Sequence, residues 1–371
     1  MLRFLILSAA LAMAGDARPP QRVTHAAPSA APGEALPVHV GGRVERTTAG
    51  FRHQWPGIYF ESAFRGDRVT LRFDDPVNEW RVSVDDKPPL SIDRPGKADV
   101  TIDGVGGGAH RIRLDKVTES AAPTIFGGFF VGTGNGLPAP RTHRRQIEFI
   151  GDSSMTGYGA RAYRLDCTPE QVRATTDTPD AFAALAAQQE GADYQINAIS
   201  GRGLIRNAGG SAPGGAMTQL WSRRIPAESS PFVDPAWQPQ IVMLKLQADF
   251  VGLRPDARWP NLATLVADYA ASYGRFLAQL HRRYPSAVFI LWWFDTQGAP
   301  PDQSAMLREA ELQISATARA AGVRDLLFLP FPASNFPATA CHGHYGVDEQ
   351  RRIADWLVAA IRAHPAFWDG R

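Results

Sequence analysis

The chain has 371 residues, of which 44% are hydrophobic and 20% are charged, and its formal net charge is +2. This length allows two domains, and the composition is typical of soluble globular proteins. The small net charge and the lack of a basic run with interleaved aromatic residues give no sign of a nucleic-acid partner.

The N-terminus has the pattern of a secretory signal peptide. Arg3 supplies a positive charge, residues 4–11 are apolar, and Ala12-Met13-Ala14 fits a small-residue cleavage site. This run is shorter than the roughly 20 residues that cross a bilayer, and no other segment is long and apolar enough. We expect residues 1–14 to be a signal peptide, residues 15–37 a disordered lead-in, and the protein to be periplasmic or secreted without a membrane span. An unprocessed N-terminus or a misassigned start codon is the alternative.

Residues 38–140 are predicted to form an all-β domain. Apolar residues alternate with polar ones in four segments, and turn sequences rich in Gly, Asp and Pro separate them. Several short strands with this spacing are typical of a β-sandwich or jelly roll. The segments are Val69-Leu71-Phe73, Val82-Val84, Val100-Ile102 and Ile112-Leu114, and the Gly/Pro-rich run 132–140 follows them as a linker.

Strand and helix patterns alternate over residues 141–371, which predicts a parallel sheet with helices on both faces. Thr178 is the predicted N-cap of the first long helix, with Pro179 at its first position and Gly191 as its stop signal. Ligands bind such sheets beyond the carboxyl ends of the strands. The predicted strands are 146–150, 194–199, 241–246, 287–293 and 326–329, and the later helices include residues 262–280, 306–318 and 353–361.

Ser153 is the most informative residue. The strand 146–150 runs directly into Gly151-Asp152-Ser153, which presents a hydroxyl at the edge of the sheet. Such a serine can act as a nucleophile if a histidine comes near, and Cys341-His342-Gly343-His344 supplies two candidates. The alternative is a turn serine without a catalytic role.

Cys167 and Cys341 are the two cysteines of the chain. In an exported protein they can form one disulfide, which would connect the serine segment to the histidine segment, or they can remain two buried thiols. Cys341, His342 and His344 do not match a zinc-binding spacing. We expect no metal and no cofactor.

The residues around Ser153 resemble a known family. Residues 151–154 with 157–159 are similar to the first block of SGNH (GDSL-type) hydrolases, and residues 147–153 especially resemble carbohydrate esterase family 2. Residues 200–203, Ser-Gly-Arg-Gly, look like the second block of these enzymes.

The resemblance covers roughly residues 38–365 and includes Gln238-Pro239, ahead of the strand that leads to the third block. It implies an α/β fold class: a three-layer α/β/α, flavodoxin-like SGNH hydrolase domain over residues 141–371, preceded by an all-β jelly-roll or sandwich domain over residues 38–140.

The same resemblance implies roles for individual residues. Ser153 would attack an ester carbonyl, and His344 would act as its general base just ahead of the closing helix. The backbone N–H groups of Ser153 and Gly201 would stabilise the oxyanion. His342 is an alternative base.

Two positions depart from the pattern of the family. Ala248 occupies the place of the third-block Asn that normally completes the oxyanion hole, and Gln247 can replace its amide only if the loop distorts the strand alternation. Cys341 occupies the place of the triad acid. Family 2 esterases often use a Ser-His dyad, so the resemblance implies a dyad here. Asp295 is a candidate for orienting His344, or else a solvated loop residue.

Trp292 and Trp293 extend the strand that precedes Asp295. Sugar rings stack on aromatic faces, so we predict that Trp293 and Asp295 contact substrate, with packing of both tryptophans in the core as the alternative. The combined prediction is an exported esterase that removes acetyl or another small acyl group from a carbohydrate. Two other hypotheses remain: a carbohydrate-binding protein that has lost turnover, which Ala248 favours, and an SGNH enzyme acting on lipids or transferring acyl groups.

Overall fold

The computed structural model describes residues 21–210, 215–255, 257–297 and 299–369, in which an antiparallel β-sandwich precedes a three-layer α/β/α domain. The predicted signal peptide, residues 1–14, lies outside the described residues. Within the described ranges, no helix has the length and apolar character needed to cross a membrane.

The sandwich consists of two antiparallel sheets. One has the order β1-β10-β7-β12-β5-β4, with β2 paired to β12, and the other has the order β3-β6-β11-β8-β9. Their strands are β1 (Arg22–Ala26), β2 (Glu34–Ala35), β3 (His39–Gly41), β4 (Val44–Thr47), β5 (Gly50–His53), β6 (Tyr59–Arg65), β7 (Arg68–Asp75), β8 (Glu79–Val84), β9 (Leu90–Asp93), β10 (Gly96–Asp103), β11 (Ala109–Lys116) and β12 (Thr124–Val131).

The alternating segments of the sequence form the core between these sheets. In β7, Val69, Leu71 and Phe73 point inward and are almost completely buried, while the residues between them are partly accessible. The apolar positions of β8, β10 and β11 are buried in the same way. The prediction of strands at these four segments is confirmed, because a period of two places every second side chain on the buried face.

The prediction of a disordered lead-in over residues 15–37 is wrong from residue 22 onward. β1 pairs antiparallel with β10 along its whole length, and the Ser29 amide donates to Asp99 at 2.8 Å. The physical reason is that an edge strand is held by its backbone ladder, which requires few apolar side chains. Residues 15–20 lie outside the described part of the chain.

The second domain is built on a five-stranded parallel sheet with the order β14-β13-β15-β16-β17. This is the 2-1-3-4-5 order of flavodoxin-like folds, in which ligands bind at the carboxyl ends of the strands where the chain order reverses. The strands are β13 (Arg145–Gly151), β14 (Ala192–Ala198), β15 (Ile241–Lys245), β16 (Val288–Trp293) and β17 (Leu326–Pro330), and the helices are α1 (Ser153–Thr156), α2 (Pro169–Thr175), α3 (Phe182–Gln189), α4 (Met217–Leu220), α5 (Leu262–Arg283), α6 (Pro301–Ala320) and α7 (Val347–Arg362).

Helices cover both faces of this sheet. α3 and α7 pack together on one face, while α5 and α6 pack together on the other. α5 begins where the Asn261 side chain accepts from the Thr264 amide, and its apolar residues at helical spacing are buried against the sheet. α3 begins at Phe182, later than predicted, because the Thr178 hydroxyl donates to backbone carbonyls, including Thr156 O at 2.7 Å, instead of capping the helix.

A buried ion pair joins the two domains. Arg43 of the sandwich donates to Glu148 in the middle of β13 at 2.8 Å, and both side chains are almost completely buried. The Glu148 carboxylate also accepts from Asn197, Trp221 and Trp237. A buried charge is costly unless it is paired and hydrogen-bonded, so this network fixes the sandwich against the sheet.

Candidate active site

Ser153 stands directly after β13, the first strand of the parallel sheet in chain order, at the first position of α1. The Asp152 side chain caps α1 by accepting from the Ser154 amide at 3.0 Å. A Cβ atom on Gly151 would lie 2.5 Å from Met155 Sδ and 2.8 Å from the Lys245 carbonyl, so only glycine fits at this turn. The sharp turn leaves the half-buried Ser153 facing the carboxyl edge of the sheet.

His344 reaches Ser153 from the loop between β17 and α7. Its Nε2 lies 2.7 Å from Ser153 Oγ, and its Nδ1 lies 2.8 Å from the Cys341 carbonyl. Since a carbonyl can only accept, Nδ1 carries the hydrogen and the neutral ring presents Nε2 as the acceptor of the serine hydroxyl. The structure therefore brings the two predicted residues together in the geometry of a nucleophile and its base.

The surroundings of His344 keep its ring neutral. Burial lowers the pKa of His344 below its ordinary value, while the hydrogen bond to the Cys341 carbonyl and the charge of Asp152 oppose this effect. Lys245 lies 3.1 Å from Asp152, and its positive charge acts in the same direction as burial. A neutral imidazole at neutral pH is the form that a general base requires.

His342, the alternative base, is engaged elsewhere. Its Nδ1 lies 3.0 Å from the Tyr158 hydroxyl, and its Nε2 lies 2.9 Å from the Cys167 carbonyl. The exposed ring is held in this position by a left-handed backbone conformation, with φ of 55°. The structure thus separates the two histidines, and only His344 contacts Ser153.

Cys167 and Cys341 form a disulfide, which settles the alternative that the sequence left open. The bridge connects the loop ahead of α2 to the short turn ahead of His344. Because the Cys341 carbonyl orients His344, the disulfide anchors the residue that holds the base. The Cys341 carbonyl, rather than a carboxylate, accepts from His344 Nδ1.

A cavity of about 610 Å³ opens above Ser153 and His344. It is lined from four strand ends and from the loop that carries the histidine. Its polar lining residues include Asp152, Tyr158, Ser200, Lys245 and Gln247, and its less polar ones include Ala208, Val251 and Phe294.

Gly201 and Gln247 both line this cavity. Gly201 has φ of 76°, a left-handed conformation that glycine adopts readily, and neither its amide nor that of Ser153 donates to another described residue. Gln247 has left the strand geometry, with φ of −118° and ψ of 1°. Its Nε2 is buried and has no acceptor among the described residues. The amides of Ser153 and Gly201 and the side-chain amide of Gln247 are the three oxyanion donors predicted from the sequence.

The buried amide of Gln247, which has no acceptor in the part of the chain that the structure describes, gives a prediction. Gln247→Ala is expected to lower kcat on p-nitrophenyl acetate at least about tenfold, since one oxyanion donor is commonly worth a hundredfold or more. Gln247→Glu is the matched variant, because it keeps the shape of the side chain and removes only the donor. Steady-state kinetics on both variants check the role. An unchanged kcat in both would remove Gln247 from the oxyanion site.

Sequence reasoning missed the residue that holds the loop after Gly201. The Asp249 carboxylate accepts from the amides of Leu204, Ile205 and Arg206 at 2.6 to 2.8 Å. Burial raises the pKa of Asp249 to about 6, and these three hydrogen bonds oppose the shift. Asp249 directly follows Ala248 in the third block, so the sequence indicated that it lies near the site. The sequence could not predict that its carboxylate binds the three backbone amides.

The predicted substrate contacts of Trp293 and Asp295 are wrong. Trp293 is 1% exposed and packs between Tyr273 and Phe328 on the α5 and α6 face, because strand alternation turns it into the core. Trp292 packs against α3 and α7 on the opposite face. Asp295 does not line the cavity or contact His344; it accepts from the Gln297 amide in its own loop at 2.9 Å. Phe294 is the residue of this strand end that lines the cavity.

A parallel 2-1-3-4-5 sheet with a serine after strand 1 and a histidine before its last helix defines the SGNH class of α/β hydrolases. Residues 40–140 match the model of the carbohydrate esterase 2 N-terminal family. An acetylxylan esterase / glucomannan deacetylase of Cellvibrio japonicus (strain Ueda107) is 34% identical over 341 residues, which cover 90% of this chain and 92% of the relative.

Solved structures agree with these matches. One carbohydrate esterase superposes with a TM-score of 0.80 at 33% identity, covering 90% of this chain and all of the other. A carbohydrate esterase family 2 enzyme of Corynascus thermopiles (Myceliophthora fergusii) superposes with a TM-score of 0.71 at 26% identity, covering 88% of this chain and 98% of the other. The chain belongs to carbohydrate esterase family 2 and is a carboxylic ester hydrolase.

Proposed function

We propose that this protein is an exported serine esterase that removes acetyl groups from a carbohydrate through the dyad of Ser153 and His344. The observation that carries the proposal is the 2.7 Å contact between Ser153 Oγ and His344 Nε2, with the ring oriented by the Cys341 carbonyl. The cavity above them is open enough for an acetylated sugar to approach from solvent.

The first half of the reaction transfers the acyl group to the enzyme. Ser153 Oγ attacks the ester carbonyl while its proton passes to His344 Nε2. The amides of Ser153 and Gly201, with Gln247 Nε2, donate to the oxyanion of the tetrahedral intermediate. Collapse of this intermediate breaks the bond to the sugar oxygen, which takes the proton from His344 and leaves as an alcohol. The acyl group is then bound to Ser153.

The second half returns the enzyme to its starting state. Water attacks the acyl carbonyl and gives a proton to His344, and the same donors stabilise the second oxyanion. Ser153 leaves and regains the proton from His344, and the carboxylic acid is released. The Cys341 carbonyl keeps accepting from Nδ1 while the ring is charged.

Two further proposals concern the location of the protein and the fold of its sandwich domain. The disulfide between Cys167 and Cys341 is typical of oxidising compartments, so it supports a periplasmic or secreted location. We also propose that the sandwich is a jelly roll. The eight strands β5 to β12 divide between the two sheets in the orders β5-β12-β7-β10 and β6-β11-β8-β9, which is how two Greek keys wrap around a core.

The alternative of a non-catalytic carbohydrate-binding protein rested on Ala248. Gln247, one residue earlier, lines the same cavity, and its buried amide has no acceptor among the described residues, which supports our proposal that it replaces the missing Asn donor. An esterase is therefore the proposal that fits all of the site residues.

Acetate release from O-acetylated xylan and O-acetylated glucomannan tests the substrate class, because the Cellvibrio relative is named for both activities. We expect release from at least one of them, with turnover on tributyrin at least about a hundredfold slower, since the charged side chains of Asp152 and Lys245 line the cavity beside Ser153 and favour a polar substrate. Acetate release from neither glycan, combined with fast cleavage of tributyrin, would contradict a carbohydrate substrate.

A further inference from the structure

One carboxylate of the β-sandwich domain reaches into the active-site region of the hydrolase domain. Glu119 lies in the loop between β11 and β12, and its side chain contacts two elements beside Ser153. Its Oε1 accepts from the Ser200 amide at 3.0 Å. Its Oε2 accepts from the Ser200 hydroxyl and lies 3.1 Å from the Thr156 hydroxyl.

These partners belong to the two elements that carry the proposed backbone donors. Thr156 is the last residue of α1, whose first residue is Ser153, and its hydroxyl also lies 3.1 Å from the Ser153 carbonyl. Ser200 directly precedes Gly201. The two hydroxyls lie 3.3 Å from each other, so the carboxylate closes a compact group of hydrogen bonds between α1 and the turn after β14.

The separation of these two elements decides whether both amides can reach one oxyanion. Donors in an oxyanion hole need to lie about 2.7–3.1 Å from the developing charge. A misplacement of about 1 Å can lower a rate a hundredfold. Gly201 is in a left-handed turn, and its amide makes no hydrogen bond to another described residue, so its position depends on its neighbours.

Glu119 is held in place on its own side of the boundary. Burial raises the pKa of Glu119, while its hydrogen bonds with Ser200 and Thr156 and the charge of Lys116 oppose the shift. The Lys116 ammonium is itself fixed by the Gln54 carbonyl at 2.7 Å and the Ser120 hydroxyl at 2.8 Å. Ser120 directly follows Glu119, so its hydrogen bond with Lys116 fixes the loop beside the carboxylate to the end of β11.

We propose that Glu119 is a positioning residue for the esterase reaction: by bonding Ser200 and Thr156 at once, it sets the distance between the Gly201 and Ser153 amides. The sandwich domain would then complete the oxyanion hole of the hydrolase domain. This inference rests on the proposed function, since it concerns the geometry of the same oxyanion hole.

Four purified variants test it: Glu119→Ala, Glu119→Gln, Tyr59→Phe and Ser153→Ala. Glu119→Gln keeps the shape, accepts from the Ser200 amide and donates to the two hydroxyls. Tyr59→Phe is the control for an interdomain contact, since the Tyr59 hydroxyl donates to Asp193 at 2.8 Å near the start of β14, at the opposite end of that strand from Ser200. Each variant is measured for kcat and KM on p-nitrophenyl acetate, for binding of an alkyl boronic acid that forms a tetrahedral adduct, and for thermal unfolding.

We expect Glu119→Ala to lower kcat by about tenfold to a hundredfold with KM changed less than about threefold, and to weaken boronic acid binding by a similar factor. Glu119→Gln should keep kcat within about fivefold of the wild type, because it restores the hydrogen bonds. Tyr59→Phe should keep kcat and boronic acid binding although it removes an interdomain hydrogen bond.

Each contrary outcome has a separate meaning. An unchanged kcat in folded Glu119→Ala, or an equal loss of kcat in Tyr59→Phe, overturns the positioning role. A fall of kcat in Glu119→Ala without weaker boronic acid binding overturns it as well. If Ser153→Ala retains the wild-type kcat, the proposed function itself fails, and the Glu119 result then concerns another site.

Discussion

Ser153→Ala and His344→Ala are each expected to lower kcat on p-nitrophenyl acetate at least about a thousandfold, with the double variant no slower than the slower single variant. The members of a nucleophile and base pair act as one unit, so removing either abolishes the covalent step. The 2.7 Å contact between the two side chains is the structural reason for this non-additivity.

His342→Asn is the matched control for the base. Asparagine tolerates the left-handed conformation at this position, so the backbone turn ahead of His344 is preserved. Because His342 contacts Tyr158 and the Cys167 carbonyl rather than Ser153, we expect a loss of kcat below about tenfold. A loss of kcat in His342→Asn as large as that in His344→Ala would contradict the assignment of His344 as the base.

Loss of the disulfide is expected to have the second largest effect. In Cys167→Ala, the free energy of unfolding should fall by about 2–5 kcal/mol, because a bridge between residues 174 positions apart restricts the unfolded chain strongly. The same change should lower kcat. The Cys341 carbonyl orients His344, and without the disulfide Cys341 is no longer anchored to the loop ahead of α2.

Denaturant unfolding and steady-state kinetics check this prediction together. The double variant Cys167→Ala/Cys341→Ala is the control, because it removes the bridge without leaving a free thiol, and it should be destabilised by a similar amount. If dithiothreitol reduces the wild-type bridge fully while the unfolding midpoint and kcat stay the same, the disulfide supports neither the fold nor the dyad.

The sequence was most informative where the proposed catalytic residues belong to short local motifs. Gly151-Asp152-Ser153 requires a tight turn, and His344 precedes an amphipathic helix, so both could be placed at the carboxyl edge of the sheet. The group that orients His344 could not be predicted, because every residue carries a carbonyl and only the turn of the chain selects that of Cys341. The role of Glu119 could not be predicted either, because its hydrogen-bond partners Ser200 and Thr156 lie in the other domain.

The errors have physical causes too. Trp293 was predicted to contact substrate from its type and strand end, but alternation along β16 decides which face a side chain takes, and both faces of this sheet are covered by helices. Asp295 follows the carboxyl end of β16, yet its carboxylate accepts from the Gln297 amide in its own loop. Strand-end position indicates a region of the molecule, whereas contact depends on the path of each loop.

Mapping the adduct of a fluorophosphonate tests most directly whether His344 activates Ser153. After reaction and tryptic digestion, we expect one phosphonylated peptide, residues 146–161, modified at Ser153, and we expect the reaction to be at least about a hundredfold slower in His344→Ala. Labelling at another residue, or labelling of Ser153 at the wild-type rate in His344→Ala, would contradict this account of the site.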